Sequence, residues 1–308
     1  VNDNIKSIMS DNTFTVTTGH QLNIFTGPLY VIYKIISVIK LSRMLSQKYP
    51  KYKFVPVYWM ASEDHDFEEI KSFHSNGKTY SWDIESKGPV GNLNTESLKN
   101  ILDEDISIPD FFRDAYSSSS SLSEAVRKYM NHLFGEFGLI TIDPNSKNLK
   151  KTISDIIVDD VVNNTIEKVE KSSENTSEVY VRKINFFFQE SDFRQRIDKT
   201  DKFNILSTNL SFTKKEIKDK IVSSPELFSP NVITRCLYQQ RILPNVCYLG
   251  GPSEIVYWES FKKFFEHYNI TYPVLVPRDF VLLLTTKIQK LINKLNLLSS
   301  DLFFDKNK

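Results

Sequence analysis

The run Phe54-Val55-Pro56-Val57-Tyr58-Trp59-Met60 contains no charged or strongly polar side chain. A strand with one wet face alternates apolar and polar residues, so a strand apolar on both faces must be covered on both. A central position in a parallel sheet flanked by helices meets that demand. Four more short segments read as buried strands and end on turn-forming residues. They are Phe14-Thr15-Val16-Thr17 before Gly19, Leu139-Ile140-Thr141-Ile142 before Asp143-Pro144, Val246-Cys247-Tyr248-Leu249 before Gly250-Gly251-Pro252, and Pro273-Val274-Leu275-Val276 before Pro277. Helices are predicted over 28–47, 148–170 and 253–267; in the first, Leu29, Ile32, Ile36 and Ile39 fall at helical spacing behind Pro28. Strand, turn, helix, strand predicts an α/β fold built on a parallel sheet with crossover helices. Ligands bind such sheets beyond the carboxyl ends of the strands.

Three of those strand ends carry polar clusters. The first runs from Gly19 to Pro28 and is read as a turn in which Gly19 and Gly27 bracket His20, Gln21, Asn23 and Thr26. At a helix N-terminus, exposed N–H groups and the helix dipole suit an anion; His20 is a candidate to donate to a phosphate or carboxylate or to shuttle a proton near neutral pH, and a tight turn with capping side chains would read the same way. The second is Ser62-Glu63-Asp64-His65-Asp66, whose carboxylates around one imidazole suit acid/base work, the binding of a protonated amine, or helix capping. Without a second ligand cluster or an HExxH pattern, no metal is expected there. The third is Gly250-Gly251-Pro252-Ser253-Glu254, where adjacent glycines let a ligand approach the backbone and Ser253 is placed to cap a helix beginning at Glu254. Upstream of it, Asn231 and Arg235 are candidates for holding a carboxylate or phosphate.

Thirty-nine basic and thirty-eight acidic side chains leave a net charge of +1. That balance points away from nucleic acid and anionic membrane as partners. Two cysteines, Cys236 and Cys247, form no framework or CxxC pair, so a reducing, cytoplasmic setting is expected. No apolar run approaches the roughly 20 residues of a membrane span, and the N-terminus shows no signal-peptide pattern. The chain opens on Val1 rather than Met, as a fragment would.

The sheet-forming segments place a core over 1–75, 136–175 and 229–286, interrupted by insertions over 76–135 and 176–228. The first insertion is expected to hold a hairpin at Thr79–Ile84 and helices around Ser117–Ser121. The second is expected to hold strands at Val179–Val181 and Ile184–Phe188, then a helix at Thr213–Val222. Over 287–308, Ile288, Leu291, Ile292, Leu295 and Leu298 repeat at about 3.5 residues, as at the start of a coiled coil.

Five motifs, in order across nearly the whole chain, resemble those of the bacillithiol-biosynthesis cysteine-adding enzymes, the BshC family. They are Thr18-Gly-His-Gln-Leu-Asn-Ile-Phe-Thr-Gly-Pro-Leu-Tyr-Val-Ile-Tyr-Lys34, Val55-Pro-Val-Tyr-Trp-Met-Ala-Ser-Glu-Asp-His-Asp66, Phe137-Gly-Leu-Ile-Thr-Ile-Asp-Pro144, Phe228-Ser-Pro-Asn-Val-Ile-Thr-Arg235 and Tyr248-Leu-Gly-Gly-Pro-Ser-Glu254. His20, Leu22 and Asn23 depart from that family's usual Gly-Gln-Gln-Pro-Gly pattern. The resemblance implies a Rossmann-like core similar to class I aminoacyl-tRNA synthetases, with connecting insertions and a coiled coil that forms a homodimer. It implies a ligase that adds L-cysteine to the amino group of glucosaminyl-malate in the last step of bacillithiol biosynthesis. Because joining a carboxyl to an amine is uphill in water, activation of cysteine by ATP as an adenylate is expected. On those implications Asp64, His65, Asp66 and His20 are the catalytic candidates. Gly19, Gln21, Asn23, Thr26, Gly27, Glu63, Asn231, Arg235, Gly250, Gly251, Ser253 and Glu254 are the substrate-binding candidates. The same loops would serve another nucleotide-dependent amine ligase, a nucleotidyltransferase, or a non-catalytic nucleotide-binding protein.

Overall fold

In the computed structural model, which describes residues 1–75, 77–104 and 108–304, the five expected strands form one parallel sheet. They are β1 (Thr13–His20), β2 (Lys53–Met60), β5 (Ile140–Ile142), β11 (Asn245–Gly250) and β12 (Val274–Pro277), in the spatial order β12-β11-β1-β2-β5. The register pairs Gly19 with Trp59, Thr17 with Tyr248 and Gly250 with Pro277, so the polar strand ends line up along one edge. The order doubles back at β1, whose neighbours are the next strand in sequence on one side and a strand more than 220 residues away on the other. Such a reversal opens a crevice, because the connections on its two sides diverge.

Successive side chains of β2 enter different cores. Val55, Val57 and Trp59 pack in one apolar cluster, and Tyr58 and Met60 in another. The continuous apolar run is thus explained by burial on both faces. Beneath β1, the buried Thr15 and Thr17 hydroxyls donate to Asn245 Oδ1 at 3.2 and 2.7 Å, which ties the polar members of that strand to β11.

Helix α1 (Asn2–Ser7) precedes the sheet, and α2 (Leu29–Lys48) joins β1 to β2. Between β2 and β5 lie α3 (Phe67–Ile70), the hairpin β3 (Ser72–Ser75) and β4 (Lys78–Ser81), and helices α4 (Leu98–Glu104), α5 (Asp110–Ser117) and α6 (Leu122–Phe134). The hairpin forms earlier in sequence than expected, with Phe73 stacked on Tyr80 across it. The helix predicted over 148–170 is three pieces, α7 (Lys147–Lys151), α8 (Ser154–Asn163) and α9 (Thr165–Ser172). Asn164 at φ 56° sets the second break, a left-handed conformation that asparagine tolerates. A second sheet follows, in the order β10-β6-β7-β8-β9, from β6 (Phe186–Gln189), β7 (Arg194–Lys199), β8 (Phe203–Ile205), β9 (Ser211–Phe212) and β10 (Phe228–Pro230). The strand expected at Val179–Val181 is irregular, while helix α10 (Lys214–Ser223) follows a capping box between Thr213 and Glu216. Helix α11 (Val232–Ile242) leads into β11; α12 (Pro252–Ser260) and α13 (Lys262–His267) lead to β12.

The chain divides into units Val1–Arg278 and Asp279–Lys308. In the second, the expected coiled-coil helix is limited to α14 (Thr286–Lys294). Asn296 at φ 55° ends the helical path, so Leu298 lies beyond the helix, and residues 305–308 fall outside the described ones. No helix among the described residues is long and apolar enough to cross a membrane.

Candidate active site

A cleft of about 650 Å3 opens at the carboxyl edge of the central sheet. Its lining includes Gly19, His20 and Gln21 from β1 and its exit, Trp59, Glu63 and Asp64 from β2 and its exit, and Arg235, Tyr248 and Glu254 from the elements around β11. The segment 176–228 contributes Tyr180, Arg182, Phe187, Arg194 and Arg196.

Gly19 and His20 belong to β1 rather than to a turn, because their backbone continues the pairing with Trp59 and Met60. A Cβ on Gly19 would stand 3.2 Å from Arg235 Nη1, so glycine lets that guanidinium lie against the strand end. Arg235 sits among Tyr248, Trp258 and Trp59, with ring centroids 5.7, 5.8 and 6.0 Å from its Cζ. Its Nη1 donates to Gln239 Oε1 at 3.3 Å. Among the described residues, no carboxylate pairs with Arg235, Arg182 or Arg196, although Arg194, Arg113 and Arg241 all have acidic neighbours. Arg182 and Arg235 are half-buried and Arg196 is exposed, and three cations lining one cleft with no carboxylate in ion-pair contact suit an anionic ligand.

Behind Gly19 lies Lys34, 1% exposed on α2. Its three donors are spent on Gly19 O at 2.6 Å and on Glu254 Oε1 and Oε2 at 2.7 and 3.0 Å. Glu254 in turn accepts from the N–H of Gly251 at 3.1 Å. Glu254, not Ser253, therefore closes the start of α12; Ser253 is an exposed residue inside the helix, two positions past the N-cap Gly251. Gly250 is required there because its Cβ would come within 2.9 Å of Glu254. Burial, reinforced by the Lys34 charge, lowers the His20 pKa from 6.5 to about 3. The expected proton shuttle at neutral pH is thereby corrected: His20 is a neutral ring, edge-on to Tyr30 at 5.4 Å.

The loop after β1 also differs from the expectation of a ligand-binding turn. Asn23, Thr26 and Gly27 do not line the cleft. Gly27 adopts φ +65°, and the Asn23 side chain fills the space where its Cβ would go. The loop is pinned from α5 and α6 instead: Phe25 N–H donates to Tyr116 Oη at 2.6 Å, and Tyr129 Oη–H donates to Phe25 O. Those contacts explain the local pattern as packing of Phe25 among Phe73, Phe112 and Tyr116.

At the end of β2, the Asp64 carboxylate accepts from the His65 N–H at 2.7 Å and from Gln21 Nε2, and lies 3.9 Å from Arg194 Nη1. Burial opposes its charge, but His65, Arg194 and Gln21 outweigh burial and hold the carboxyl well below the usual range. Asp64 is therefore a fixed negative charge, too weakly basic to collect protons at neutral pH. Asp66 and His65 are both exposed and neither lines the cleft. Below them, Glu63 pairs with the fully buried Lys150, and Gln189 Nε2 donates to Asn145 Oδ1 and Glu226 O at 3.0 Å each. Asn231 lines the cleft but is occupied in capping α11, accepting from Ile233 and Thr234 at 2.9 and 3.1 Å.

The expected residues that converge are thus Gly19, His20, Gln21, Glu63, Asp64, Asn231, Arg235 and Glu254, backed by Gly250 and Gly251. Sequence reasoning missed Lys34, Lys150, Arg182, Arg194 and Arg196. Arg194 and Arg196 are two apart in a strand, a spacing that puts two cations on one face and could have marked them.

Residues 1–279 match the family model described as "Bacillithiol biosynthesis BshC, N-terminal Rossmann-like domain". A Flavobacterium johnsoniae protein named "Putative cysteine ligase BshC" is 45% identical over 316 residues, an alignment covering 97% of this chain and 60% of that one. Proteins of the same name from Cytophaga hutchinsonii and Chlorobaculum tepidum are 40% and 30% identical. Those alignments cover 98% and 94% of this chain and 60% and 57% of theirs. The chain spans about three fifths of the length of the curated relatives it matches.

Proposed function

This chain belongs to the bacillithiol-biosynthesis BshC family, and from that membership we propose that its cleft joins the carboxyl group of L-cysteine to the amino group of glucosaminyl-malate, the last step of making bacillithiol. One observation carries the reading: the ionised Asp64 and three arginines that, among the described residues, have no carboxylate in ion-pair contact line the same cleft. Cysteine brings an ammonium and a carboxylate, and glucosaminyl-malate brings an amine and two carboxylates. A cleft with both signs of fixed charge can orient both partners, which converts a bimolecular encounter into a positioned one. The core and the segment 176–228 would act as one site, since that segment supplies Arg182, Arg194 and Arg196.

Amide formation from a free carboxylate needs activation. With ATP as co-substrate, a cysteine carboxylate oxygen attacks the α-phosphorus and pyrophosphate leaves. The amine nitrogen then attacks the carbonyl carbon, AMP departs with the bonding electrons, and the amine proton passes to water. Asp64 holds an ammonium group rather than accepting its proton, and Arg235 holds an anionic group of a substrate.

Incubating the purified protein with cysteine and glucosaminyl-malate, with and without ATP, and following the amide by mass spectrometry tests this. Product is expected only with ATP, and Arg235→Gln and Asp64→Asn each should lower kcat/KM by about 30-fold or more, equivalent to ~2 kcal/mol for a lost charge contact. Wild-type rates in both folded variants would refute the site. No product from the wild type would refute the reaction, and product without ATP would refute the adenylate.

A further inference from the structure

Asn185, 1% exposed, stands just before β6. Its side-chain amide clasps the backbone of Arg182: Oδ1 accepts from the Arg182 N–H at 3.2 Å, and Nδ2 donates to Arg182 O at 2.9 Å. A backbone N–H only donates and a carbonyl only accepts, so those two bonds settle which way the amide faces. The same Oδ1 accepts from Asn231 Nδ2 at 3.0 Å, and Asn185 O accepts from the Asn231 N–H at 3.0 Å and from Thr234 Oγ1 at 2.9 Å. Asn231 and Thr234 open α11, and the Arg235 N–H donates to Asn231 O at 2.9 Å, one turn along. Behind the amide, the fully buried Asp160 of α8 accepts from the Asn185 N–H at 2.6 Å and from its Nδ2 at 3.2 Å. One buried residue thus joins the stretch that carries Arg182 to the helix that carries Arg235.

Both guanidiniums line the cleft, and each is steadied beyond its backbone. Arg235 stands among three aromatic rings, and the Arg182 Cζ lies 5.2 Å from the Tyr180 ring centroid. We propose that Asn185 is a positioning residue that fixes the spacing of Arg182 and Arg235, so that the cleft selects a dicarboxylate by the distance between its two charges. Two cations on one rigid frame meet both carboxylates of a single molecule, one each. Once the first contact is made, the second forms at high effective concentration, but only for a ligand that spans the gap. A shorter or longer dicarboxylate leaves one charge unmet. The dicarboxylate this implies is the malate portion of glucosaminyl-malate. That identification rests on the function proposed above; the fixed spacing does not.

Calorimetric binding of malonate, malate and glutarate, with lactate as the single-carboxylate control, tests this without any turnover. The wild type is expected to hold malate about 10-fold or more tighter than malonate or glutarate, since only one length gains the second contact. Asn185→Ala should bring the three dicarboxylates within about 3-fold of one another while changing lactate binding by less than about 3-fold, because one arginine still suffices for one carboxylate. Thr234→Val, which removes the hydroxyl bonded to Asn185 O, should narrow the preference in the same direction and by less. It decides the matter if circular dichroism shows Asn185→Ala to be unfolded. A wild type without length preference overturns the proposal. So does a preference kept intact in the folded variants, or a loss equal for all four ligands, which a merely structural role would give. Selection of malonate or glutarate instead would uphold the spacing and fail the malate identification. A wild type that selects malate but forms no amide would fail the proposed reaction and leave the spacing standing.

Discussion

His20 gives the sharpest test of the electrostatics behind β1. Its pKa falls from 6.5 to about 3 because burial and the Lys34 charge both oppose an imidazolium. In the unfolded chain the ring takes up a proton below 6.5, whereas in the fold it stays neutral down to about 3. Its contribution is therefore complete above pH 6.5 and is lost as pH falls through that window. At ~1.4 kcal/mol per pH unit the ceiling is about 5 kcal/mol, and the part reached at pH 5 is about 2 kcal/mol. Residual solvent contact of the ring screens this, leaving roughly 1–2 kcal/mol. The perturbation is His20→Gln, which cannot titrate but otherwise leaves the five-histidine background reduced only by one. Urea unfolding of both proteins at pH 7.5 and pH 5 should show the stability difference shifting by that amount in favour of the variant at the lower pH. With a urea slope of about 3 kcal/mol/M for a unit of this size, the midpoints should shift relative to each other by roughly 0.3–0.7 M. A difference independent of pH would refute the reasoning, since it would mean His20 titrates alike in both states.

Two further substitutions probe the polar layer beneath the cleft. Lys150→Met strands Glu63 as a buried charge; a loss of about 3–5 kcal/mol is expected, and adding Glu63→Gln should recover a large part of it. Thermal or urea unfolding of the two single variants and the double checks this, and strict additivity would contradict it. Gly250→Ala forces a methyl within 2.9 Å of Glu254 and should cost about 1–3 kcal/mol. An alanine variant as stable as the wild type in thermal unfolding would show that Glu254 can yield.

What could be read from the sequence followed burial closely. The apolar run of β2 and the turn residues after each strand announced the parallel sheet, because a strand covered on both faces has few ways to hide its side chains. The edge where ligands would gather could be inferred for the same reason. The assignments that failed were those in which a side chain's partner lies far along the chain. Lys34 reads as one more helix lysine until Glu254, 220 residues later, is folded against it. His20 reads as a titratable turn residue until the same lysine and the surrounding burial disarm it. Gly27 and Asn23 resembled a ligand loop, but a positive φ and a filled Cβ position account for both. Arg194 sits on β7, whose own pattern carries no hint of Asp64, 130 residues earlier.

The placement of β1 also bears on how the chain emerges from a ribosome. Its partner β2 is complete by Met60, yet the strand on its other side, β11, does not exist until Asn245–Gly250 has been made. At roughly 5–20 residues per second, synthesis of the intervening stretch takes on the order of 10–40 seconds. Throughout that interval the β11-facing edge of β1, a run of unsatisfied amides and carbonyls, remains available to any extended segment nearby. The nascent protein must therefore shield that edge, and formation of the sheet's β1–β11 seam is set to be a late, slow event in its maturation.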